Sequence, residues 1–197
     1  MKDLPQHPAE ALILTRLPAD VVERARKIRL MVFDVDGVLT DGKLWYGEQG
    51  EALKQFHVLD GYGLKMLATN GFTVALMTAR EGPILARRAA ELGLAHLYQG
   101  VRDKASALVD LAQKEGIALE AVGYMGDDVI DLAAMQRAGF AATVPHAPAY
   151  IAQAAHWVST THGGQGAVRQ CCDLLMASQG KLGPVLQIGG AMPGAVQ

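Results

Sequence analysis

The chain has 197 residues, half of them hydrophobic and 19% charged, which suits one substantial core and a single domain with short additions. A net charge of −2 and the lack of any basic run argue against a nucleic-acid partner. The opening thirty residues carry charges throughout and no later stretch is long enough to span a bilayer, so the expectation is a cytoplasmic protein with no membrane association.

In chain order, short β-rich runs alternate with amphipathic segments. The first strand is expected in "RLMVFDV", followed by "GKLWYGEQGEALKQF", where two short strands flank a Gly-rich turn and form a β-hairpin over about 42–56. A helix in "GYGLKMLATNG" comes next, with Asp60 as its cap, and then a strand in "TVALMT". Helix "PILARRAAELG", strand "HLYQ", helix "KASALVDLAQKEG" and strand "AVGYM" continue the alternation. The last third holds helix "DLAAMQRAG", strand "FAATV", helix "APAYIAQAA", strand "HWVS" and helix "AVRQCCDLLMASQG". Adjacent Cys171 and Cys172 fall inside that final helix and are expected to pack rather than to bridge or to bind metal. The domain is expected to close near residue 182, leaving 183–197, rich in Gly, Ala and Pro, as a flexible tail.

Such alternation predicts an α/β fold: a Rossmann-like, doubly wound parallel sheet covered by helices on both faces. Ligands of such sheets bind beyond the carboxyl ends of the strands, and the chemistry-bearing residues fall there. The first strand delivers Asp34, Asp36 and Asp41; the second Thr78 and Arg80; the segment after "HLYQ" Arg102 and Lys104; and "GDDVID" delivers Asp127, Asp128 and Asp131. Carboxylates that can hold a hard divalent cation, a hydroxyl donor and a lysine able to meet phosphate compose a phosphoryl-transfer site.

"DVDGV", "MTAR", the lysine of "VRDK" and "GDDVID", in that order and each after a strand, resemble the haloacid dehalogenase superfamily of phosphatases. The resemblance implies Asp34 as nucleophile and Asp36 as general acid and base. It further implies Thr78 and Lys104 as phosphate ligands, Mg²⁺ held by Asp34, the Asp36 backbone carbonyl and Asp127, and Asp128 and Asp131 as supporting groups. The intervals from Thr40 to Phe72 and from Glu81 to Arg102 hold too little chain for a cap domain. A capless site needs a roof from elsewhere, so the hairpin or tail of a neighbouring copy is expected to close it.

From Pro18 to Leu182 the chain also looks like the family of 3-deoxy-D-manno-octulosonate 8-phosphate phosphatases, through "GEALKQFHVLDGYG", "GDDVIDLAAM", "GGQGAVR" and "CDLLMASQGKL". That resemblance implies a Mg²⁺-dependent homotetramer acting in lipopolysaccharide inner-core synthesis, with Arg80, and secondarily Arg102, binding the sugar-acid carboxylate. Ala79 and Gln165 depart from the family's usual Gly and Arg. Two other readings share these motifs: a phosphatase for the nine-carbon 2-keto-3-deoxynononate 9-phosphate, and a receiver-type phosphoaspartate signalling module. A receiver has no use for an acid and base two residues after its phosphoacceptor, so Asp36 separates it from the enzyme.

Overall fold

The computed structural model describes residues 7–187. Two helices, α1 (Pro8–Leu14) and α2 (Ala19–Lys27), lead into β1 (Leu30–Phe33). The hairpin strands β2 (Trp45–Gly47) and β3 (Gly50–Leu53) follow, then α3 (Val58–Thr69), β4 (Thr73–Met77), α4 (Pro83–Leu92), β5 (His96–Tyr98) and α5 (Lys104–Lys114). A 3-10 turn at Leu119–Ala121 precedes β6 (Val122–Met125). The chain continues through α6 (Val129–Arg137), β7 (Phe140–Thr143), α7 (Ala149–Ala154), β8 (Trp157–Val158), α8 (Ala167–Ser178) and α9 (Leu182–Gln187).

Six strands form one parallel sheet in the order β5-β4-β1-β6-β7-β8, and β2 pairs with β3 in a separate antiparallel ribbon. The doubly wound expectation holds, and the order reverses between β1 and β6, where such sheets open a crevice for ligands. Strand β1 explains its own apolar run. Met31 and Phe33 enter the core beneath α3 and α8, while Leu30 and Val32 enter the second core beneath α5 and α6. A central strand buried on both faces has no polar side to show. Cys171 and Cys172, fully buried on α8, belong to the first core, and burial pushes both thiols up.

The segments expected to be too short for a cap are so: only the hairpin and α3 separate β1 from β4, and only α4 and β5 separate β4 from α5. Three features depart from expectation. The leading helices α1 and α2 were not anticipated, because α1 is short and α2 hides its few apolar residues, chiefly Val21 and Ala25, among charges. A capping box between His7 and Glu10 starts α1. Buried Glu10 also accepts the Gly183 N–H at 2.7 Å, and this contact ties α1 to α9. Residues 183–187 therefore lie in a docked helix rather than in the expected tail, whose remainder, 188–197, lies outside the described residues.

Finally, α3 is capped by His57, whose ring accepts the Leu59 N–H at 3.2 Å, not by Asp60. Asp60 is fully buried and caps another helix: its carboxylate accepts the N–H groups of Gly166 at 3.1 Å and Arg169 at 2.8 Å at the start of α8. Gly166 has no side chain with which to cap α8 itself, and the carboxylate supplies the missing acceptor from a neighbouring helix.

Candidate active site

The hydrogen bond from Asp34 N to Met125 O, at 2.8 Å, carries the β1–β6 ladder one residue past β1 and delivers Asp34 into the crevice. Its side chain is buried and meets the ammonium of Lys104 at 2.5 Å. Lys104 opens α5, is itself 1% exposed, and also pairs with Asp131 at 2.7 Å. Asp131 is the hub of this cluster. One oxygen accepts from Lys104 and from the Tyr124 hydroxyl at 2.6 Å, and the other accepts the N–H groups of Asp127 and Asp128, each at 3.2 Å. The "GDDVID" spacing produces this locally: Asp128 caps α6 and Asp131, at its third position, answers it in a capping box.

The loop after Asp34 turns sharply. Gly37 adopts φ 98°, and a Cβ there would run into the Asp127 carboxylate, so the position accepts only glycine. Thr40 Oγ1 closes the turn by accepting the N–H groups of Gly37 at 3.3 Å and Gly42 at 3.2 Å. Gly163 presses on the outside of this loop, where a Cβ would strike the Gly37 carbonyl. Asp41 stays clear of the cluster, paired with Lys43 at 2.9 Å at the entry to the hairpin.

Asp34, Asp127 and Asp131 each present a carboxylate oxygen within 4.8 Å of the others. Burial first, and then the charge of Asp131, push Asp34 up to about 8 against the opposing pull of Lys104. Burial, Asp131 and Asp128 push Asp127 up to about 7. Burial opposes the charge on Lys104, but Asp34 and Asp131 outweigh it and the lysine is held above its ordinary value. Three carboxylates thus share one lysine. The deficit is of positive charge, and a set of hard oxygen donors around it fits a Mg²⁺ ion. Asp34 and Asp127, the two side chains expected around the ion, lie together with Asp131 beside them, while the Asp36 carboxylate faces elsewhere.

Asp36 turns toward the hairpin. One of its oxygens pairs with the Lys54 ammonium, and the other accepts from Thr78 Oγ1 at 3.2 Å. Thr78, after β4, accepts the Arg80 N–H at 3.1 Å in turn. The Arg80 guanidinium donates to the Tyr46 hydroxyl at 3.0 Å and lies 3.6 Å from Glu51; its buried Nε has no hydrogen-bond partner among the described residues. A cavity of about 200 Å³ opens here, lined among others by Asp36, Gln49, Lys54, Thr78, Arg80 and Gln99. Arg102 is exposed before α5 and does not line it, and Asp128 is an exposed helix cap.

Sequence reasoning missed Lys54, Glu51, Tyr46 and Tyr124. Lys54 and Glu51 sit in "GEALKQF", where they read as the solvated face of a hairpin. Tyr124 reads as strand core and only the fold turns its hydroxyl onto Asp131.

A buried carboxylate at the switch point, a buried lysine, an acidic cluster and a second carboxylate two residues on that lines the cavity compose a site suited to phosphoryl transfer. Comparison agrees: a model of the haloacid dehalogenase-like hydrolases matches residues 91–170. The chain is 46% identical, over 164 residues, to the 3-deoxy-D-manno-octulosonate 8-phosphate phosphatase of Escherichia coli K12, spanning 83% of this chain and 87% of that protein. The corresponding phosphatase structure from Yersinia pestis superposes with a TM-score of 0.81 at 44% identity, covering 83% of this chain and 89% of that one. One from Moraxella catarrhalis, in complex with magnesium, phosphate and the sugar acid, gives 0.84 at 38% identity over 86% and 98%. The chain belongs to the 3-deoxy-D-manno-octulosonate 8-phosphate phosphatase family of haloacid dehalogenase-like hydrolases. The receiver reading falls away, because these relatives are phosphatases.

Proposed function

We infer that the chain is a Mg²⁺-dependent phosphatase that hydrolyses 3-deoxy-D-manno-octulosonate 8-phosphate to the free sugar acid and phosphate, in lipopolysaccharide inner-core synthesis. The observation that carries the reading is the separation of two carboxylates: Asp34 is locked in the charged cluster, and Asp36 faces the cavity.

In this reading Asp34 attacks phosphorus and forms an aspartyl phosphate, while Asp36 protonates the leaving alcohol. Asp36 then takes a proton from the water that cleaves the acyl phosphate. Thr78 and Lys104 hold phosphoryl oxygens, and Lys104 offsets the charge that spreads over them. Asp34 and Asp127 would hold Mg²⁺ together with the Asp36 backbone carbonyl, with Asp131, its oxygens taken by Lys104, Tyr124 and two backbone N–H groups, supporting them; the bound ion would supply Lewis-acid neutralisation of the phosphoryl group. Arg80, with its unpartnered Nε and its place on the cavity wall, is positioned for the sugar-acid carboxylate. Arg102, outside the cavity, has no such support.

Homotetramer formation and a cytoplasmic location complete the proposal. The hairpin exposes Leu44, Trp45, Tyr46 and Leu53, an apolar surface that suits burial against a second copy. Among the described residues no helix is long and apolar enough to cross a membrane.

The deciding experiment is an assay with Mg²⁺ against eight-carbon and nine-carbon sugar-acid phosphates. Higher kcat/KM for the eight-carbon substrate is expected; preference for 2-keto-3-deoxynononate 9-phosphate would overturn the assignment. Light scattering after size exclusion reads the tetramer.

A further inference from the structure

Two exposed histidines, His146 after β7 and His162 after β8, meet on the outer side of the Gly37 loop. Their Nδ1 atoms are 3.3 Å apart, their ring centroids 5.3 Å apart, and their ring planes differ by 21°. Two imidazole nitrogens about 2.0–2.1 Å from one tetrahedral cation stand roughly 3.3–3.4 Å apart. Each ring centre lies about 1.15 Å behind its nitrogen, so the same geometry sets the centroids roughly 5.2 Å apart. Both observed separations match. A direct N–H···N hydrogen bond would be long at 3.3 Å.

We propose that His146 and His162 form a second cation site, selective for borderline transition cations such as Zn²⁺ or Ni²⁺, separate from the carboxylate site that takes Mg²⁺. Two imidazoles bind such cations, with water completing the shell, whereas Mg²⁺ prefers the all-oxygen cluster. The two sites sort metals by ligand type. Occupation of the histidine site ties the β7–α7 and β8–α8 loops together where Gly163 and Gly164 lie against the nucleophile loop, Gly164 N donating to Val38 O at 3.0 Å.

The test is calorimetric titration of the full-length, Mg²⁺-saturated protein with Ni²⁺ at mildly alkaline pH. One equivalent is expected to bind. Either His146→Gln or His162→Gln should weaken it by more than the roughly 10–100-fold that follows loss of an outer-shell partner. Asp127→Asn should leave it intact. Both histidines are exposed, so these variants keep the fold. Electron paramagnetic resonance of the Cu²⁺-loaded protein should show coupling to two nitrogens. No binding, binding unchanged in either histidine variant, or binding lost with Asp127→Asn would each overturn the proposal.

Discussion

Lys54 of the hairpin holds its ammonium against the carboxylate of Asp36, and with a side chain 5% exposed it is almost as buried as Lys104. The two lysines divide the site, Lys104 beside Asp34, the proposed nucleophile, and Lys54 beside Asp36, the proposed acid and base. Lys54 also meets Glu51 at 3.2 Å, so the hairpin is anchored to the catalytic loop by charge rather than by apolar packing.

Lys54→Met should release Asp36 from its set position. A lower kcat by about 10–100-fold on the sugar phosphate is expected, part of the roughly 10²–10⁴ that a placed acid supplies. An aryl phosphate with a good leaving group needs little protonation and should lose less. Equal losses on both substrates would show that Lys54 does not act through the acid.

Asp34→Asn should abolish turnover and leave no aspartyl phosphate to trap by acid quench. Asp36→Asn keeps the nucleophile but slows both formation and hydrolysis of that intermediate, which single-turnover kinetics separates. An Asp36→Asn enzyme that changed only in KM would contradict the assigned role.

The carboxylate cluster sets a pH dependence. Asp127 is raised from 3.8 to about 7 and Asp34 to about 8, so the metal-free fold favours their protonated forms. That stability is fully present below the unfolded value near 3.8 and is lost as pH rises through about 7 and 8. Mg²⁺ competes with those protons. Melting temperatures without metal should therefore fall from mildly acidic to mildly alkaline pH, and the increment added by Mg²⁺ should grow over the same interval. A constant increment would mean that the cluster is not the metal site.

Gly37→Ala forces a side chain into the Asp127 carboxylate at φ 98°. Strain of about 1–3 kcal/mol is expected, together with weakened Mg²⁺ affinity measured by calorimetry. Wild-type affinity in this variant would remove the steric argument.

Asp60→Ala leaves the first turn of α8 without its acceptor and should cost at least about 1–2 kcal/mol in denaturant unfolding, the effect of a lost N-terminal cap. Asp60→Asn, which keeps an acceptor oxygen, should recover part of it.

The fold was legible where periodicity and chemistry coincide. All six sheet strands and the six helices from α3 to α8 follow from apolar runs and turn residues, because the inner strands β4, β1, β6 and β7 are buried on two faces and each long helix on one. The site's sequence-local parts were equally legible: Asp34 and Asp36 on one loop, Asp127, Asp128 and Asp131 on another. What escaped depends on distant chain. Asp60 reads as a cap for the helix it begins, yet it serves one more than a hundred residues away. Lys54 reads as solvated until the hairpin folds over Asp36. The short α1 carries too few apolar positions to announce itself and is held by α8 and α9.

The strand order has a consequence for the order of synthesis. Strand β1 is made early, but its partner β6 and the cluster residues Asp127 and Asp131 emerge about ninety residues later, and the Gly163 that backs the nucleophile loop later still. A nascent chain thus carries Asp34, the proposed nucleophile, long before it carries Lys104 or the carboxylates that gather around it. A fragment that stops before Asp127 therefore carries Asp34 without the carboxylate cluster that completes around it.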